Sequence, residues 1–159
     1  MIPPELVTFV QSGVSALIGT RDARLVPECQ RALGARVDDP EHLVVYVPCA
    51  TGAISAENAR TTGRVAATFS RVQDHYTIQL KGAVTQVREA REDERETIER
   101  YRNGLAETLA FVGLPPGITL RMAHWPCYAI RFRVESIFVQ TPGPGAGQPL
   151  VVAGGGAPR

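Results

Sequence analysis

The segment Leu43-Val44-Val45-Tyr46-Val47 most restricts what this chain can fold into. Five apolar or aromatic residues follow one another, most of them β-branched. The turn signal Asp38-Asp39-Pro40 precedes them and Pro48 follows. Such a run reads as a strand buried on both faces. A strand of this kind needs cover on each side, so the rest of the chain must supply at least two layers.

The neighbouring segments supply mostly strands. Val14 to Thr20 reads as a strand of small residues, with a turn at Arg21-Asp22-Ala23-Arg24. A second strand is expected from Pro27 to Arg36, and further ones at Val65–Ser70 and Tyr76–Val87. In the last of these Ile78 and Leu80 point one way, and Thr77, Gln79 and Lys81 the other. The final strand, Tyr128–Val139, alternates Ile130, Phe132 and Val134 against Arg131, Arg133 and Glu135. Helices are fewer. Pro3-Pro4-Glu5 opens a short one. Thr51–Thr62 forms another, with Gly63 as its stop. The longest is expected over Ala90–Val112, with Ile98, Tyr101, Leu105, Leu109 and Val112 at helical spacing. Its charged beginning, Arg91 to Glu96, reads as a solvated face.

Consecutive short strands with tight connections favour an antiparallel barrel or sandwich over a doubly wound sheet. The expectation is α+β, mainly β: a barrel of about six antiparallel strands with one long late helix. Residues 1–139 form the domain, and 140–159 a Pro/Gly-rich arm.

With 17 basic and 16 acidic residues the net charge is +1, so no strong field draws the chain to nucleic acid or to an anionic membrane. Only Lys81 is a lysine; the other basic residues are arginines. Any anion site must therefore lean on Arg, backbone N–H or hydroxyl groups. Cys29, Cys49 and Cys127 have neither disulfide-framework nor zinc spacing, and His42, His75 and His124 show no metal spacing with them. There is no signal-peptide pattern and no apolar run of membrane-spanning length. The expected compartment is the cytoplasm. No GxGxxG, P-loop or nucleophile-elbow motif occurs.

The order of pieces resembles the pyridoxamine 5'-phosphate oxidase-like, FMN-binding split-barrel family. The likeness begins with Ser15-Ala16-Leu17-Ile18-Gly19-Thr20 and Pro27-Glu28-Cys29-Gln30-Arg31-Ala32. It continues through Leu43–Val47, Asn58-Ala59-Arg60-Thr61-Thr62-Gly63-Arg64-Val65-Ala66 and Ile78-Gln79-Leu80-Lys81-Gly82-Ala83. The resemblance implies a homodimer with FMN at the interface, oxidoreductase chemistry and a small-molecule substrate. It places the flavin against Gln30, beside Tyr46 and the helix start carrying Thr51, Ser55 and Asn58, with Thr77, Gln79 and Lys81 completing the wall. The family's usual basic clamp is replaced: Gln30 stands where Arg is common and Ser55 where Lys is common. Arg31 is expected on the opposite strand face. A phosphate would then rest on neutral donors at the helix start, and pyridoxamine 5'-phosphate oxidation itself is not expected. The alternatives are a non-catalytic module for flavin, haem or a similar planar ligand, and a dimeric scaffold without a ligand.

Overall fold

The structure, a computed structural model, describes residues 1–152, with side chains through residue 150. Helix α1 (Pro4–Val10) leads into β1 (Ser15–Arg21), β2 (Pro27–Arg31), β3 (Ala35–Asp39) and β4 (His42–Pro48). Helix α2 (Cys49–Thr62) and strands β5 (Arg64–Ser70) and β6 (Thr77–Glu89) follow. A 3-10 turn at Glu92–Glu94 opens α3 (Arg95–Phe111); then come α4 (Pro116–Leu120), β7 (Cys127–Val139) and β8 (Pro149–Val152). All strands join one antiparallel sheet in the order β2-β1-β5-β6-β7-β4-β3, with β8 also on β7.

The mainly β barrel is as expected, but it has eight strands rather than about six. One difference lies at Pro27–Arg36, which is two strands. The chain breaks at Ala32-Leu33-Gly34, where Gly34 adopts φ +97 and a Cβ would sit 2.8 Å from Tyr101. Only glycine fits that turn. The other lies in the tail. Residues 149–152 pair with β7, so part of the presumed arm belongs to the sheet; residues 153–159 lie outside the described residues.

Strands β6 and β7 run 13 residues each and serve both halves of the barrel. Their ladder slips between Lys81 and Gly82 and between Val84 and Gln86. At Gly82 the β7 backbone comes so close that a Cβ would fall inside the Arg133 carbonyl. Such bulges bend a strand and let a sheet close on itself.

Inward-facing Ala16, Ile18, Ala67, Phe69, Ile78, Leu80, Ile130, Phe132 and Ile137 are all fully buried. Helix α2 covers one end of this core. The ring of Tyr101 in α3 closes another: its hydroxyl donates to the Val14 carbonyl at 2.8 Å and accepts from the Ala16 N–H at 3.2 Å. The outward face of the β1-β5-β6-β7 sheet is different. Leu17, Gly19, Ala66, Thr68, Gln79, Lys81, Ser136 and Phe138 lie side by side there, and all are partly or fully exposed. Half of these side chains are small, and no described helix lies over them.

Candidate functional site

Three features carry the chemistry of this barrel. The first is a cleft of about 240 Å³ lined by Gln30, Leu33, Pro48, Thr51, Met122 and Ala123. Strand β2 is an edge strand, which leaves Gln30 free to reach across to α2. Its Nε2 donates to Thr51 Oγ1 at 2.6 Å. Pro48 precedes α2 and no side chain caps it. The Cys49 N–H donates to the Pro126 carbonyl at 2.9 Å. The next N–H groups belong to a first turn, which has no i−4 partners. Arg31 also borders the cleft, but its guanidinium reaches away to Ser15 Oγ at 3.3 Å.

Of the residues the sequence assigned to one site, the structure brings only Gln30 and Thr51 into contact. Ser55 and Asn58 lie on the buried side of α2. The Asn58 amide donates to Thr20 Oγ1 at 3.3 Å, whereas Ser55 Oγ is buried with no hydrogen-bond partner. Thr77 is buried, with its hydroxyl on Ser70 and on the His75 carbonyl. Gln79 donates to Thr68 Oγ1 at 2.9 Å and Lys81 lies over the Phe138 ring at 4.8 Å. Both belong to the outward sheet face, so within one chain they do not wall the Gln30 cleft. Near them a shallow hollow of about 470 Å³ runs over Gly19, Arg21, Arg64, Ala66, Lys81 and Glu135.

Tyr46 needs a correction. It is fully buried on β4 and does not face the cleft. Its hydroxyl donates to Glu94 Oε1 at 3.1 Å and lies 3.4 Å from Arg36 Nε. This is the second feature, and it corrects the reading of Arg91–Glu96 as a solvated run at Glu94 alone, the other five residues being exposed. The 3-10 turn rotates Glu94 inward, leaving its side chain 4% exposed. Both carboxylate oxygens take the Arg88 fork, at 2.6 and 2.8 Å, and the Arg91 N–H donates at 2.9 Å. Arg36 Nη2 stands 3.5 Å away. Burial alone would push the Glu94 carboxyl up. The hydrogen bonds from Arg88 and the Arg91 N–H, with the Arg88 charge and Tyr46, more than offset that and hold it at about 2. Above this network lies a cavity of about 380 Å³ lined by Arg36, Arg88, Arg91 and Arg131 with Asp38 and Thr85. The signal in the sequence was Tyr46 itself: a hydroxyl on an all-buried strand demands a polar partner.

The third feature is the loop around α4, which supplies Met122 and Ala123 to the cleft. Buried Arg102 anchors it by donating to the Leu120 carbonyl at 2.6 Å, and His124 meets Glu99 at 3.1 Å. Among the described residues no three His, Cys, Asp or Glu side chains converge as a metal would require. No described helix is long and apolar enough to cross a membrane.

The bulged long strands, the antiparallel order with β2 and β3 at its two edges and the covering helix define a split β-barrel. Solved structures with the same architecture include the HupZ protein of Group A Streptococcus, with TM-score 0.58 and 18% identity over 92% of this chain and 100% of that one. A putative pyridoxamine 5'-phosphate oxidase from Lactobacillus delbrueckii has TM-score 0.55 and 16% identity, over 87% of this chain and 93% of that one. An F420 reductase has TM-score 0.55 and 13% identity, over 86% and 98%. No protein-family model matches the chain, and no curated protein matches it in sequence. The chain thus has the split-barrel fold of the pyridoxamine 5'-phosphate oxidase kind.

Proposed function

We propose that the protein is a homodimeric FMN-binding protein of the oxidoreductase-like split-barrel kind, with the flavin held where the Gln30–Thr51 cleft meets a partner copy. The observation that carries this reading is the Gln30–Thr51 hydrogen bond of 2.6 Å, set at the uncapped start of α2 beside a cleft. Together these offer an amide, a hydroxyl and first-turn N–H groups to a phosphate. A pyridoxamine 5'-phosphate oxidase-like protein and an F420 reductase with this architecture point to the same class of ligand.

The partner copy is argued from size and surface. A cleft of about 240 Å³ is smaller than the roughly 300–1,000 Å³ of typical ligand pockets. A second wall is needed. The uncovered, small-residue face carrying Gly19, Ala66, Gln79 and Lys81 suits a two-fold interface. It would also bring Gln79 and Lys81 to a shared site from the other chain.

FMN, when bound, supplies the electron-transfer chemistry. The chain's own residues bind, orient and exclude water. None of the cleft-lining side chains can exchange a proton near neutral pH, so the site has no general acid or base of its own. The Gln30 cleft offers donors for one phosphate only, so pyridoxamine 5'-phosphate oxidation, which requires two clamps at one site, is not expected. Neutral donors give roughly half the strength of charge-assisted ones, so FMN affinity is low and the purified protein is partly empty.

FMN titration by fluorescence tests the site. Ser55 is too buried to accept a lysine, so the charge is restored at Gln30. Gln30→Arg tightens binding by about tenfold, equivalent to about 1.4 kcal/mol. Unchanged affinity in a folded variant removes the cleft from consideration, and a haem spectrum or a colourless, non-binding protein would favour the alternatives. Light scattering gives twice the 17.2 kDa chain mass; a clean monomer overturns the shared-site geometry.

A further inference from the structure

We propose that the arginine-lined cavity over Tyr46 and Glu94 is a second ligand site, built for a compact oxyanion of the phosphate class. It shares no lining residue with the Gln30 cleft and does not depend on flavin binding there.

Four guanidinium groups, Arg36, Arg88, Arg91 and Arg131, border one polar cavity of about 380 Å³, against a single lining carboxylate, Asp38. Glu94 lies beneath them, 4% exposed, and no ligand can reach it without displacing the arginines. Its role toward the cavity is positional. It holds Arg88 in a two-pronged pair and draws Arg36 and Arg91 to within 3.5 and 3.8 Å. Arg131 is fixed separately, by Asp38 at 2.8 Å, Asp39 at 2.9 Å and Thr85 Oγ1 at 3.2 Å.

Each guanidinium carries five N–H donors, more than these acceptors consume. The surplus donors sit on side chains already fixed in place, so little rotamer entropy is left to lose when an anion arrives. A planar fork that matches phosphate oxygens favours that class over halide. Thr85 adds a neutral hydroxyl at the rim. Within the lining itself four guanidinium groups stand against one carboxylate, an excess of three; Glu94, Asp39 and Asp93, which pair with Arg88, Arg131 and Arg91, lie outside the lining.

The test uses the full-length protein and inorganic phosphate as the probe, read by calorimetry and by thermal shift against sodium chloride at equal ionic strength. Saturable binding to phosphate but not chloride is expected. Arg91→Gln, at a side chain 57% exposed, leaves the fold intact and weakens phosphate binding by about fivefold or more. Asp38→Asn removes the one repulsive lining charge and tightens it severalfold; a purely structural network gives no such gain. Arg24→Gln, at a side chain 85% exposed that lines neither cavity, leaves phosphate binding unchanged. Glycerol phosphate distinguishes the sources: tighter binding than inorganic phosphate assigns the site to a phosphorylated metabolite, and equal or weaker binding to the free ion. No saturation beyond chloride, saturation indifferent to both Arg91→Gln and Asp38→Asn, or equal weakening by Arg24→Gln and Arg91→Gln, overturns the proposal.

Discussion

At the Gln30–Thr51 cleft every inward donor is neutral and the polar pair is open to solvent. In the cavity over Tyr46, three guanidinium groups, those of Arg36, Arg88 and Arg91, surround a buried carboxylate. The two regions share strand β4 and its neighbours but rest on different physics. A neutral hydrogen bond at a surface contributes about 0.5–1.5 kcal/mol to stability, because water competes for both partners. A buried ion network is costly to assemble and far costlier to break, since removing one member strands the others without compensation. Tyr46 and Glu94 therefore serve the molecule's stability, and Gln30 and Thr51 the proposed ligand site. The contrast can be broken at either end.

The largest effect is expected at Glu94. Glu94→Gln leaves Arg36, Arg88 and Arg91 facing one another with no buried countercharge. The expected loss is about 3–5 kcal/mol in urea unfolding. A loss below about 1 kcal/mol would show that water reaches the network and would erase the distinction between the two regions.

Acid comes next. The folded Glu94 carboxyl sits at about 2, below its ordinary value of 4.5. Its contribution is present above the unfolded value and is lost as pH falls from about 4.5 toward 2. A shift of that size corresponds to about 3 kcal/mol. Stability measured from pH 5 to pH 2 should fall more steeply in the native protein than in Glu94→Gln. Parallel curves would place the acid sensitivity elsewhere, for instance at the Asp38–Arg131 pair, whose hydrogen bond also holds the Asp38 carboxyl low.

On the ligand side, the proposed dimer is the more sensitive element. Ala66 sits mid-sheet on the uncovered face, between Gly19 and Lys81. Ala66→Arg adds bulk and charge there without touching the core. It is expected to shift the protein toward monomer in light scattering and to weaken FMN with it. A dimer that persists with undiminished FMN binding would move the interface to another surface.

Much of this architecture was legible in the residues. The alternation Ile130, Phe132, Val134 gave the buried side of β7, and the all-apolar run of β4 correctly implied burial on both faces. What escaped was decided by contacts between distant segments. Nothing in Arg91 to Glu96 says which carboxylate turns inward; that depends on a 3-10 turn meeting Tyr46 from 48 residues away. The strand Pro27–Arg36 hid a break because Gly34 is one residue among β-compatible neighbours, and the Tyr101 ring that leaves no room there for a Cβ lies far along the chain. In the candidate site, strand parity placed Gln79 and Lys81 together on one face. Parity alone could not say that Gln30 reaches the opposite side of the sheet, toward α2.

The smallest effect sharpens the comparison most. Thr51→Val removes the hydroxyl that accepts from Gln30 Nε2 and keeps the side chain's shape. Thr51 is exposed, so the freed Gln30 amide finds water and folding stability changes by less than about 0.5 kcal/mol. Binding is another matter. In the proposed site that hydroxyl and the oriented amide both face the phosphate, in a cleft from which a bound ligand excludes water. Losing one neutral hydrogen bond there costs about 0.5–1.5 kcal/mol, or roughly a three- to tenfold rise in the FMN Kd. The variant thus separates ligand from fold: unchanged urea midpoint with weakened FMN is the expected pattern, and the inverse of that expected for Glu94→Gln, which unfolds readily and leaves the cleft's donors in place. Equal FMN affinity in Thr51→Val and the native protein would mean that the Gln30–Thr51 pair serves only to fasten the edge strand β2 to α2.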